Sequence, residues 1–360
     1  MAEYQIAVFP GDGIGVEVMD CAAAVLEAAQ KRFGFALSAK RWDGGAAYYR
    51  DTGRDLEDGA FAAARAADAI LFGAMGLPEV RLPDGTEVAP HLEMRRAFRL
   101  FAGVRPARKY PHTPALLADK RGEDVDLIVL RESTEGLFAS RGHGTVEDGK
   151  VARDTLEITR QTSEDLFDFA FALARRRADK GRGQRKVTCV DKSNVFVSMA
   201  FFRSIFDERA QNNKDVTGMH AYVDAAALDL VRKPWTFDVM VMENMFGDIL
   251  SDLCGGLVGG MGMAPCAEIG LEHGLFQPAH GSAPDIAGEG IANPTAMIVS
   301  TAMMLDWLGQ RAGDERLVEA ADAIESAVWK AYEGRTVLPR ELGGTSGSAE
   351  VTRAVVDALG

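Results

Sequence analysis

Short apolar runs alternate with amphipathic stretches along the chain. "QIAVF" predicts a strand, which passes through "GDGIG" into a helix from about Val16 to Phe33. "ADAILFGAM" reads as a short buried strand. "DLIVLRES" and "KVTCVDKS" are two more, each closing on polar residues. "FDVMVMEN" is another, and the helix of "ENMFGDILSDL" follows it directly. Strands alternating with helices imply an α/β chain with a largely parallel sheet, in which ligands gather at the carboxyl ends of the strands. The polar residues that close these runs are therefore the first site candidates.

Two stretches break the alternation. Residues 140–165, "SRGHGTVEDGKVARDTLEITRQTSED", are polar with short alternating pieces such as "TLEITR", which suits a projecting β-arm or a long surface loop. Residues 174–186, "ARRRADKGRGQRK", form a basic run at a helix end and read as a solvated turn. Neither an internal repeat nor a low-complexity tract interrupts the chain.

With 360 residues the chain exceeds what one hydrophobic core comfortably serves, so two domains are expected. Its net charge of −13 speaks against nucleic-acid binding, because a phosphate backbone demands a basic surface. A local cluster of arginines could still receive a small anion. Cys21, Cys189, Cys254 and Cys266 stand in no metal-ligand spacing, each among small or apolar neighbours, which suits reduced thiols. No basic segment followed by an apolar one opens the sequence, and no apolar run is long enough for a bilayer, so a cytoplasmic location with no membrane partner is expected.

Candidate chemistry sharpens the picture. Asp248 and Asp252 stand one helical turn apart, where like charges repel. A divalent cation would offset them. Asp224, at a strand-to-helix junction in "YVDAAALDL", is either a helix cap or a third oxygen ligand for Mg²⁺ or Mn²⁺. Lys192 in "VDKSNV" stands at a similar junction, where a salt bridge is the simpler account. Arg95, Arg105 and Arg131 lie among apolar residues, the last two where strands end, and guanidinium forks match carboxylates. "HGSAPDIAGEGIANP" is a long glycine-rich loop in which His280, Asp285 and Asn293 offer hydrogen bonds, either as a structural Ω-loop or to a ligand. "GDGIG" lacks both the full dinucleotide fingerprint and the Walker lysine, so a tight turn without a ligand is the better reading.

These motifs, taken in order from "GDGIG" to "LGGTSGSAEVTRAV", resemble the isocitrate/isopropylmalate dehydrogenase family of metal-dependent, NAD(P)-linked β-decarboxylating dehydrogenases. "NMFGDILSDL" and "HGSAPDIAGEGIANPTA", together with "LFAGVRP" and "VDKSNV", carry the resemblance. It implies two α/β domains around a central cleft, not a Rossmann fold. Residues 1–100 and 259–360 would form the first domain and 101–258 the second, whose arm near 140–165 would interlock with a second copy in a homodimer. It further implies that Asp248 and Asp252 bind the metal in one subunit while Asp224 and the catalytic Lys192 reach across from the other. Arg95, Arg105 and Arg131 would hold the carboxylates of a malate-type substrate. His280, Gly281, Ser282, Ala283, Asp285, Ile286 and Asn293 would cradle the adenosine half of the cofactor. Asp285 can accept from ribose hydroxyls and repels an extra phosphate, which favours NAD over NADP.

Two departures bear on the reaction. Where the family usually has a tyrosine that helps protonate C3 after decarboxylation, "RESTEGLFAS" has Phe138, which has no proton to give; His143 or a water held by Lys192 are the substitutes. His91 stands where isopropylmalate enzymes tend to be apolar and isocitrate enzymes tend to have serine, which leaves isopropylmalate, tartrate, D-malate or another 3-substituted malate open. Isocitrate or homoisocitrate oxidation is the nearest alternative activity. A non-catalytic subunit, or a carboxylate-binding protein of the same fold, is the alternative of another class.

Overall fold

The apolar runs form the strands expected of them, and a computed structural model describes residues 3–360. The chain divides into two compact units, one of Met1–Arg99, Tyr110–Pro114 and Gly259–Gly360, the other of Leu100–Lys109 and Ala115–Val258.

In the first unit the strands lie in the order Ala36–Arg41, Glu3–Gly11, Ala69–Ala74, Gly274–Pro278 and Pro265–Ile269. All pair in parallel except the last two, which are antiparallel. The apolar faces of the helices Ile14–Phe33, Thr295–Ala312, Glu315–Glu333 and Ser348–Leu359 are buried in this unit's core, which includes Phe9, Phe72 and Phe276. The glycine loop between the first strand and helix serves the protein itself. The buried Asp12 carboxylate accepts from the backbone N–H groups of Ala46 (2.7 Å), Ala47 (2.9 Å) and Gly76 (2.9 Å). The Ile14 N–H, at the start of the helix, donates to the Ser282 carbonyl at 2.8 Å. "GDGIG" is thus a tight turn pinned by its own side chain.

In the second unit the order is Ala102–Arg108, Asp126–Glu132, Val239–Met242, Lys186–Asp191 and Thr217–Tyr222, with only the first pair antiparallel. Phe167 and Phe171 of helix Arg160–Asp179 pack against Phe202 and Phe206 of helix Val197–Asn212 to make its aromatic core. Two sequence expectations change here. The polar stretch 140–165 is not all arm, because helix Arg160–Asp179 begins inside it; its arm portion is an exposed hairpin of Thr145–Glu147 and Val151–Arg153. Asp148 and Gly149 turn that hairpin with φ of 51° and 63°, the left-handed pair that an Asp-Gly step favours. Nor is the basic run 174–186 simply solvated. Arg177 is buried and bonds Asp238 at 2.8 Å and the Asp126 carbonyl at 2.8 Å, because a charge taken into a core needs a full set of acceptors.

Candidate active site

The helix Asn244–Val258 carries the site of the second unit. Strand Val239–Met242 delivers the chain to it, with Met242 paired in parallel register beside Arg131. The Glu243 carboxylate then accepts from the N–H groups of Met245 (3.0 Å) and Phe246 (2.8 Å), satisfying donors that a helix start leaves open. Burial raises the pKa of this carboxyl.

From this start the helix presents Asn244, Gly247, Asp248, Ser251 and Asp252 on one face, the i, i+3, i+4 spacing that aligns side chains. Two arginines lie along it. Arg131 donates through Nε (3.0 Å) and Nη2 (2.7 Å) to Asn244 Oδ1, and through Nη1 to Asp248. Its strand can approach because residue 247 is glycine; a Cβ there would come within 2.6 Å of Arg131 Cβ and Cγ. Arg105 donates to Ser251 Oγ at 2.7 Å and lies 3.7 Å from Asp248 and 3.5 Å from Asp252. The arginine side chains are 2% and 9% exposed, the aspartates 42% and 58%. The repulsion between the two aspartates is thus already offset by guanidinium groups of the same unit.

Strand register explains the match. Arg131 pairs with Gly103 across the antiparallel ladder, and Arg105 with Val129. The arginines are therefore diagonal neighbours on one sheet face, roughly 7–8 Å apart. The helix rises about 8 Å between the centres of the 244/248 and 251/252 pairs, so each arginine meets its own turn.

The loop after Arg131 is held by acids. Glu132 accepts from Thr134 N–H and Oγ1 (both 2.6 Å) and from Glu135 N–H at 2.8 Å, and complete burial lifts its carboxyl to about 7. Glu135 accepts from Thr159 N–H at 2.8 Å, which ties the loop to the base of the arm. Phe138 follows, its ring centre 4.8 Å from the Arg131 guanidinium carbon, a cation–π contact. His143, the proposed substitute donor, lies in an exposed turn.

Lys192 and Asp224 form a second cluster in this unit. Lys192 Nζ donates to Asp224 at 2.6 Å, and that bond is the main cause of a lowered Asp224 carboxyl pKa. Asp224 lies in the first turn of helix Val223–Arg232. Among the described residues no three His, Cys, Asp or Glu side chains come together to hold a metal ion, so Asp224 does not join Asp248 and Asp252 within one chain. The donor chemistry of that pair nonetheless fits a hard divalent cation, which takes carboxylate oxygens. Burial raises the Asp252 pKa against the pull of Arg105.

In the first unit, Arg95 is buried with Nη2 2.7 Å from the buried Glu268, so it already carries a counter-ion. His91, one turn earlier on helix Pro90–Ala97, meets Phe72 edge-on at 5.4 Å. The expected cofactor loop divides by role. Ser282 donates to the Gly76 carbonyl, and Asn293 accepts from Thr295 Oγ1 (2.7 Å) while donating to Glu341 (3.1 Å), so both brace the loop. Gly281 and Asp285 are exposed, and Ile286 is partly so. Ala283 turns the backbone with φ of 35°. His280 Nδ1 donates to the Gly281 carbonyl at 2.9 Å, while its buried Nε2 has no hydrogen-bond partner. Burial lowers its pKa, which keeps that nitrogen an acceptor. An orphaned acceptor in an otherwise braced loop fits a polar ligand such as the nucleotide part of NAD.

Sequence reasoning passed over Asn244, Ser251, Glu135 and Glu268. The first two belong to the same helical stripe as the aspartates, four residues before Asp248 and three after it, so the i, i+3, i+4 count taken from Asp248 finds them. Glu268 is a lone charge in the apolar strand "PCAEI", which signals a buried partner.

Comparison with known proteins agrees with the geometry. The family model described as isocitrate/isopropylmalate dehydrogenase matches residues 5–359. A 3-isopropylmalate dehydrogenase of Desulfotalea psychrophila is 43% identical over 339 residues, 91% of each chain. A 3-isopropylmalate/3-methylmalate dehydrogenase of Methanocaldococcus jannaschii is 38% identical over 353 residues, 98% of each. The crystal structure of isocitrate dehydrogenase from Methylococcus capsulatus superposes with a TM-score of 0.84 at 35% identity, covering 99% of each chain. An α/β chain with these relatives is a decarboxylating dehydrogenase. It belongs to the isocitrate/isopropylmalate dehydrogenase family.

Proposed function

We propose that the protein oxidises and decarboxylates a 3-substituted (2R)-malate-type hydroxy acid, with NAD as acceptor and Mg²⁺ or Mn²⁺ bound. The observation that carries this reading is the pair of buried guanidinium groups laid along the Asp248–Asp252 face. Such an arrangement suits a hydroxy-dicarboxylate held beside a cation. Relatives named for 3-isopropylmalate and 3-methylmalate favour an alkyl substituent at C3. His91 packed on Phe72 supports a ring that lies against such a group.

Asp248 and Asp252 would hold the metal ion, which supplies Lewis acidity at the substrate hydroxyl. The 280–293 loop would hold NAD, the hydride acceptor, with His280 Nε2 and Asp285 as its polar contacts. Arg105 and Arg131 bind and orient the substrate carboxylates. Once its own proton has passed to water, Lys192 takes the hydroxyl proton on Nζ, and Asp224 beside it holds the ammonium that results. The Phe138 ring steadies Arg131 and delivers no proton, so protonation of C3 falls to a water or another side chain.

The active form would be a homodimer in which Asp224 and Lys192 serve the partner's site. Exposed apolar side chains of the second unit support a second copy, among them Val197 at 87%, Ile249 at 60% and Leu228 at 55%. Four free cysteines suit a cytoplasmic setting; among the described residues no helix is long and apolar enough to cross a membrane.

The test is a screen of substituted malates with NAD and Mn²⁺, read as NADH absorbance. Turnover of a 3-alkylmalate that stops on chelation is expected. Turnover that survives exhaustive chelation, or none with any substituted malate, refutes the reading.

A further inference from the structure

We infer that Asn244 is a positioning residue that decides which edge of the Arg131 guanidinium is offered to substrate; this rests on the reading of Arg131 as a carboxylate ligand. A guanidinium has two edges able to grip a carboxylate, the Nε–Nη2 side and the Nη1–Nη2 end. Asn244 Oδ1 covers the side, 3.0 Å from Nε and 2.7 Å from Nη2. The end is thereby directed toward Asp248.

Only an amide does this in place. Asn244 is 1% exposed, and its Nδ2 donates to the Glu135 carbonyl at 2.9 Å and approaches Glu132 Oε2 at 3.5 Å. Flipping the amide would set its NH₂ against the guanidinium and its oxygen against two acceptors. Aspartate would also face those acceptors with a charge, and leucine would satisfy neither side.

The same amide joins Arg131 to the loop that carries Phe138. Gly136, next to the Glu135 carbonyl, lies so close that a Cβ there would come within 2.9 Å of Asn244 Cβ. Asn244 holds one edge of Arg131 and, through Glu135, the segment whose ring covers one face of it. Losing Asn244 should therefore cost substrate binding through Arg131 more than it costs the helix.

Steady-state kinetics of Asn244→Leu, Arg131→Ala and the double variant test this. Asn244→Leu is expected to raise KM for the hydroxy acid about tenfold or more with a smaller change in kcat, while KM for NAD holds. Little further rise is expected from Asn244→Leu in the Arg131→Ala background, since the two act as one unit. A KM within about twofold of wild type, or a full effect that persists without Arg131, would overturn the inference. Should Asn244→Leu fail to fold, Asn244→Ser keeps a residue suited to a helix start and is read by the same criteria. If the wild type oxidises no substituted malate, the functional reading fails by itself. Calorimetric titration with malonate then decides the positioning role: weaker binding by Asn244→Leu supports it, and equal binding refutes it.

Discussion

Replacing Gly247 by alanine sets helix stability against site geometry in one substitution. Position 247 is in the interior of helix Asn244–Val258, where alanine is favoured over glycine by about 0.5–1 kcal/mol. Against this, the new Cβ would lie 2.6 Å from Arg131 Cβ and Cγ and 2.9 Å from its Cα, where ordinary contact begins near 3.4 Å. Strand Asp126–Glu132 is hydrogen-bonded on both sides and cannot yield, so the helix must move away by about 1 Å. Overpacking of this kind costs about 1–3 kcal/mol. The two terms cancel only at one limit, and the net loss of stability is about 0–2.5 kcal/mol. Activity has no such compensation. A shift of about 1 Å at a positioned site can cost on the order of a hundredfold. Thermal melts paired with NADH-coupled kinetics on a substrate the wild type oxidises give both readings. A folded Gly247→Ala enzyme with kcat/KM within about threefold of wild type would refute the argument that close approach of helix and strand sets Arg131.

Asp252→Asn should abolish metal-dependent turnover while circular dichroism stays unchanged, since a half-exposed carboxylate adds little to the fold; retained turnover counts against the cation site. Phe138→Tyr should raise CO₂ release relative to ketone formed, measured by trapping both products, and an unchanged ratio means the proton arrives by another route. Glu132 gives a pH test. Its folded pKa near 7 lies above the ordinary 4.5, so between those values the native state binds the extra proton and stability falls as pH rises. The loss amounts to about 3 kcal/mol across that window. Glu132→Gln should flatten the slope in urea titrations between about pH 5 and 8, and an unchanged slope assigns the proton elsewhere.

Local pattern made the architecture readable where one element suffices. The strand closing on "LRES" and the helix of "NMFGDILSDL" stand where their periodicity puts them. The Asp148–Gly149 turn was legible in principle, because an Asp-Gly step between short alternating segments specifies a hairpin. What the pattern hides is whatever depends on a second element. "TRQTSED" is polar enough for a loop, yet it opens a helix whose later residues pack Phe167 and Phe171 into an aromatic core. "ARRRADK" looks solvated until strand Asp126–Glu132 and Asp238 appear beside Arg177. Ser282 reads as a cofactor contact because its bond goes to a backbone carbonyl distant in sequence, and the bracing role of Asp12 inside the expected tight turn is hidden for the same reason.

The acidic helix shows how such a dependence is built. Asp248 and Asp252 conflict on an isolated helix by a few tenths of a kcal/mol, about 0.2–0.5. The conflict is removed by register, since the diagonal spacing of Arg131 and Arg105 across an antiparallel ladder matches the rise from one helical turn to the next. Side chains alternate along a strand, so a one-residue slip of Ala102–Arg108 would turn Arg105 to the opposite sheet face. Asp252 would then lose its guanidinium, and Ser251 its donor. The register that relieves the aspartates also sets two guanidinium groups side by side, where the dicarboxylate proposed above would need them. Pairing of the two strands and competence of the site are therefore one requirement, and a variant that weakens the ladder should lose substrate affinity before it loses the helix.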